Sequence, residues 1–163
     1  MIDPAAFTTV FDVTRVRSDL WLGSAFGLVF MTAGTGMVLY ELRWRSVPDK
    51  SRRLFAWFVL ALTSLWTAAI SIGTYAEYGR LAGAVRAGRV SYVEGPVANF
   101  VPLPVGGHGM EHFEVAGKRF EYSDSVLTVG FNSTARHGGP IRAGRFVRVG
   151  YVRDTVVQLA VLP

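Results

Sequence analysis

Three histidines and several carboxylates fall close enough in this chain to raise the question of chemistry. His108, Glu111 and His112 sit together in HGMEH, and Asp124 and His137 follow in the next long segment. Imidazole and carboxylate ligands suit zinc or nickel with water on an open position. The spacing is not that of a zincin helix, where Glu directly follows the first His, and Gly106, Gly107 and Gly109 oppose a helix here. Loop polarity and hydrogen bonding at the start of a hairpin account for His108, His112 and His137 without a metal. The chain has no cysteine, so thiolate metal sites, disulfides and thiol nucleophiles are excluded. No cofactor is expected.

Ser123, Asp124 and His137 are the residue types of a hydrolase triad. No nucleophile-elbow glycines flank the serine, and the domain that would carry the triad spans only residues 90–163. The expectation is a protein that is not an enzyme, with no catalytic residue. Asp124 and His137 then brace their own loop by hydrogen bonds to its backbone. Asn132 opens a glycosylation sequon, but a residue that readily takes turn geometry beside Gly130 and Phe131 is read as loop-shaping. Asp124, Phe131, Asn132, Arg136 and His137 are the candidate binding-loop residues. Phe131, Arg136, Arg142 and Arg145 also have the aromatic and basic character of a nucleic-acid surface.

The elements that must position these residues divide the chain in two. Leu20–Tyr40 and Leu54–Ala76 are apolar runs without Asp, Glu, Lys or Arg. At 1.5 Å per residue they span about 31 and 34 Å, close to a ~30 Å hydrocarbon core. Between them, residues 41–53 carry Arg43, Arg45, Lys50, Arg52 and Arg53. Such a basic turn favours the cytoplasm and places both termini outside, although Arg80, Arg86 and Arg89 after the second run pull the other way. The flank 1–19 lacks the positive start of a signal peptide. Gly23 with Gly27, and Ala61, Ser64, Ala68 and Ser71, are small residues at helical spacing that would let the helices pack on each other, or on a second copy. Uncharged spans offer no ion path and read as an anchor.

Residues 77–89 read as a linker or helix extension. From residue 90 the period changes to two, the mark of half-buried strands. Gly95-Pro96 within the first run implies a bulge or an edge position, because proline cannot donate to a ladder. His112–Val115 and Arg119–Tyr122 form a hairpin turned by Ala116, Gly117 and Lys118, with Phe113, Val115, Phe120 and Tyr122 toward the core. Phe146–Tyr151 and Thr155–Val161 make the last pair. The expected fold class is an α+β membrane protein: a two-helix transmembrane hairpin followed by a five-stranded β-barrel over residues 90–163, OB-like or SH3-like. The connection Ser123–Gly144 is long for a structureless loop, and Ser123 or Asp124 could cap a short helix over Val126–Val129.

Val93-Glu94-Gly95 with Val97–Phe100, Phe120–Asp124 (FEYSD), and Gly130–Gly139 with Pro140-Ile141 and Gly144 together carry a resemblance. On these motifs residues 88–160 resemble an uncharacterised family of small bacterial membrane proteins with a C-terminal β-domain. The family carries Tyr-Glu-Gly-His after its proline pair, where this chain reads Val105-Gly106-Gly107-His108. The resemblance implies the domain and no reaction.

The expectation is therefore an inner-membrane protein, multi-pass, whose extracytoplasmic domain binds or assembles. Its partners would be membrane lipids, an envelope protein, and a second copy through the helices. With the domain outside the cytoplasm, nucleic acid is not expected. A metal-dependent site at His108, His112 and His137, or a cytoplasmic nucleic-acid module, are the alternatives.

Overall fold

The computed structural model describes residues 6–18, 21–44, 49–103, 109–126 and 128–163. The chain divides into two compact units, residues 18–76, and residues 1–17 together with 77–163.

The first unit is a helical hairpin. Helix α1 runs Trp21–Arg43 and α2 runs Lys50–Arg86. Asp49 starts α2 as its cap, its Oδ1 accepting the backbone N–H of Ser51 at 3.0 Å and of Arg52 at 3.4 Å. Both helices are long and apolar enough to cross a membrane. Their outward faces carry exposed Phe26, Val29, Phe58, Leu65 and Trp66. Between the helices the contacts follow a repeat of three and four residues. Ser24 Oγ lies 2.9 Å from Ser71 Oγ, a side chain at Gly27 would strike the Thr67 hydroxyl, and one at Gly34 would come within 3.2 Å of Leu60 Cα. Val38 and Ala56 are buried farther along the same register. These spacings are the seam of two antiparallel helices packed knobs-into-holes. Of the expected pair Gly23 and Gly27, Gly27 lies at a close approach and the surroundings of Gly23 fall outside the described ones; Gly34 makes the next approach. Ala61 and Ala68 face away, and Leu60 and Thr67 take the seam instead. The span 77–89 is settled as helix to Arg86.

The second unit holds seven strands among the described residues, in two antiparallel sheets. Strand β1 is Thr8–Asp12, β2 Ser91–Pro96, β3 Ala98–Val101, β4 Glu111–Val115, β5 Lys118–Tyr122, β6 Phe146–Val152 and β7 Thr155–Val161. The four-stranded sheet has the order β1-β7-β6-β2, and the three-stranded sheet β3-β4-β5. The expectation of a closed five-stranded barrel, OB-like or SH3-like, is thus corrected to two open sheets. Two features account for the difference. The N-terminal flank, read as a plain extracytoplasmic segment, supplies β1, with Thr8 opposite Val161 and Asp12 opposite Gln158. The run from Val90 to Phe100 is also not one strand. Pro96 ends β2 on the edge of the four-stranded sheet, and after Val97 the chain enters the other sheet as β3.

The β4–β5 hairpin forms as expected, turning on Ala116 (φ 50°) and Gly117 (φ 78°). Two successive positive φ values are the geometry whose twist matches paired strands. The core lies between the sheets. Phe11, Phe131, Tyr122, Phe113, Phe120 and Tyr151 form an unbroken chain of ring contacts with centroids 5.1–5.9 Å apart. Val115, Val147, Val149, Leu159 and Ile141 pack around it.

Candidate functional site

The segment 123–144 is long, but it is packed into the fold. Phe131 is buried, its ring against Phe11 and Tyr122 and its backbone N–H donating to Val156 O at 3.0 Å. It therefore serves the core and cannot meet a partner as a binding-loop residue. Gly139 is buried where any side chain would strike the carbonyls of Ser133 and Thr134. Asp124 and Ser125 form a turn and Val126, Val129 and Gly130 bends; the short helix expected over Val126–Val129 includes Leu127, which lies outside the described residues.

Five of the polar side chains of residues 123–145 hold this loop. Thr134, fully buried, donates its hydroxyl to Asp124 Oδ2 at 2.7 Å, and His137 Nδ1 pairs with the same oxygen. The Thr134 hydroxyl and then His137 keep the Asp124 carboxyl below the usual carboxylate range. Asp124 and His137 are thus brought together, with the imidazole exposed, by bonds between side chains in place of the expected bonds to the loop backbone. Arg142 donates Nη1 to the carbonyls of Gly139 (2.7 Å) and Ile141 (2.6 Å), and Arg145 donates to Pro140 O at 3.2 Å. Of the loop candidates, only Arg136 and His137 are exposed; Asn132 is half-buried.

A further anchor of the loop is Glu111, where hydrogen bonding at the start of the hairpin is expected. Glu111 is fully buried, and its carboxylate accepts the N–H of Ala135 at 2.9 and 3.1 Å and of Leu103 at 3.2 Å. It stands opposite Tyr122 across β4 and β5. The Tyr122 hydroxyl is buried without a hydrogen-bond partner among the described residues, and burial, then the Glu111 carboxylate, push the phenol well above its usual range. Period two did carry this signal, because Glu111 shares the parity of Phe113 and Val115.

His112 is half-buried on β4 opposite Glu121, while His108 lies outside the described residues. Among the described residues no three His, Asp or Glu side chains gather as metal ligands would. Of the turn residues, Arg43, Lys50, Arg52 and Arg53 are exposed, with Arg52 3.5 Å from Asp49; Arg45 lies outside the described residues.

A second polar assembly lies on the outer face of the four-stranded sheet, where a cleft of about 420 Å³ opens. Its residues alternate with the core-facing ones: Tyr92 and Glu94 on β2, Arg148 and Gly150 on β6, Gln158 and Ala160 on β7. The Tyr92 hydroxyl donates to Gln158 Oε1 at 2.6 Å, and Gln158 Nε2 donates to Asp12 Oδ2 at 2.9 Å. Asp12 Oδ1 in turn accepts the backbone N–H and hydroxyl of Thr14 at 2.8 and 2.6 Å. Burial raises the Asp12 carboxyl, but the Thr14 and Gln158 donors outweigh it and hold it below its ordinary value. Arg148 Nε meets Glu94 Oε1 at 2.6 Å and its guanidinium lies 4.8 Å from the Phe7 ring centroid. No family model, no curated protein and no solved structure matches the chain. What this molecule can do is therefore read from its own side chains. The cleft offers an oriented aromatic ring beside an amide, two carboxylates and a guanidinium, which is the equipment of a binding surface.

Proposed function

We propose that this protein is a membrane-anchored binding module of the bacterial cell envelope: the helical hairpin spans the inner membrane, its basic turn lies in the cytoplasm, and the β unit stands outside. The observation that carries the reading is the pairing of β1 with β7. Residues before and after the hairpin fold into one unit, so a chain that crosses the bilayer once in each direction brings both ends to the same side. The lipid-facing side chains of α1 and α2 are apolar, and the seam between them is closed by Ser24, Gly27 and Gly34, which suits an anchor.

Binding, rather than catalysis, is supported by what the polar groups do. Asp124, Thr134 and His137 bond to one another, and Arg142 and Arg145 to loop carbonyls. Phe131 is buried, so of the set that would suit nucleic acid Phe131, Arg142 and Arg145 are engaged in the fold and Arg136 alone stays exposed without such a bond among the described residues. The outer face of the four-stranded sheet is the binding surface in this reading, in place of the loop. Membrane lipids surround the helices, and an envelope component is the partner. A phosphatase fused after Pro163 is expected to be active outside the cytoplasm; a fluorescent reporter at the same position that lights up in the cytoplasm would overturn the location.

A further inference from the structure

The geometry points to a saccharide site on the outer face of the four-stranded sheet, with Tyr92 as the stacking platform for a neutral sugar ring. This rests on the binding-module reading and names the class of ligand.

The shape of the cleft is set by an omission at its centre. Gly150 lies between Tyr92 and Gln158, and a side chain there would come within 2.8 Å of Tyr92 Cε1 and 3.1 Å of Gln158 Cβ. The tyrosine ring therefore lies across the sheet over Gly150, while 53% of the residue stays accessible to solvent. Its hydroxyl is tied through Gln158 to Asp12 and Thr14, a relay that crosses from β2 to β1. An exposed aromatic held this way presents one flat face in a fixed orientation, which lowers the ordering penalty when a ligand stacks on it.

The charges select against anions. Arg148 is matched by Glu94, so a phosphate finds no uncommitted cation here, while Asp12 keeps its charge and is held in place by donors from Thr14 and Gln158. Hydrogen-bonding capacity nevertheless remains. Arg148 meets Glu94 through Nε and Oε1, which leaves planar Nη donors and a second carboxylate oxygen at the cleft. Paired planar donors and acceptors beside a flat ring fit a molecule with hydroxyls around its rim and C–H groups on its faces. The cleft volume, about 420 Å³, is in the range of small-ligand sites, and its open side admits an extended glycan.

The test uses full-length protein in detergent micelles, with maltotetraose and the linear tetramer of N-acetylglucosamine as probes and saturation-transfer NMR as readout. At least one probe is expected to bind with a Kd of about 1 mM or tighter. Tyr92→Ala should weaken it by roughly tenfold or more, and Tyr92→Phe, which keeps the ring, by roughly threefold or less. Should Tyr92→Ala fail to fold, Arg148→Ala is expected to show the loss, while Arg136→Ala on the loop leaves binding unchanged. Absence of binding by both probes, equal binding by Tyr92→Ala, or competition by inorganic phosphate would each overturn the proposal. Because purified protein is used, the result does not depend on which side of the membrane the β unit occupies. A failed location test and a failed sugar test are therefore distinguishable.

Discussion

Glu111 and Tyr122 face each other across β4 and β5, yet their removal should have opposite effects. Glu111 satisfies the N–H groups of Ala135 and Leu103 from a fully buried position. Glu111→Ala orphans both donors and should lower stability by about 2–4 kcal/mol in denaturant titrations of the purified protein. The Tyr122 hydroxyl is buried beside the Glu111 carboxylate with no well-formed hydrogen bond among the described residues, so Tyr122→Phe should leave stability within about 1 kcal/mol of the parent, or raise it. Asp12 and Asp124 are both held below their ordinary values and give a pH dependence of definite sign. A folded value below the unfolded one means the stability is complete above roughly pH 4–5 and is lost as pH falls through the folded value. Thermal unfolding should therefore shift downward below about pH 4, and Asp124→Asn with Asp12→Asn should flatten that shift. Much of this was written in the residues: Asp124 with His137 was legible as a loop brace. Phe131 was not legible as core, because nothing local tells a loop phenylalanine that Phe11 and Tyr122 will enclose it.

At the scale of elements, local patterns were readable and long-range partners were not. The β4–β5 hairpin followed from alternation and Gly117, while the four-stranded sheet needed β1 to find β7 from the far end of the chain. Five residues of strand in a polar flank carry no mark of that partner. The hairpin turn itself holds Ala116 at φ 50°, where a non-glycine residue is strained. Ala116→Asn should stabilise the β unit by about 0.5–1 kcal/mol, measured as a rise in unfolding midpoint. The helical seam is testable by chemistry the natural chain lacks. With no native cysteine, Ser24→Cys with Ser71→Cys should oxidise to an intramolecular disulfide, since the two Oγ atoms lie 2.9 Å apart. A product that is only a covalent dimer would show that the seam belongs between copies.

For the molecule as a whole, the basic turn and the β1–β7 pairing carry independent implications that agree. In the proposed reading the first favours the cytoplasm for residues 41–53, and the second would keep the two flanks of a membrane-spanning hairpin on one side of the bilayer. Arg80, Arg86 and Arg89, beyond the apolar run of α2, oppose the first and leave the second untouched. Ser51, at the start of α2, and Ser125, on the β unit, are both exposed, and each can be the single cysteine of an otherwise cysteine-free chain. The decisive measurement is labelling of Ser51→Cys and Ser125→Cys in intact spheroplasts with a membrane-impermeant maleimide. Ser125→Cys is expected to label at once and Ser51→Cys only after permeabilisation. Labelling of Ser51→Cys with protection of Ser125→Cys, or labelling of both before permeabilisation, would contradict the account.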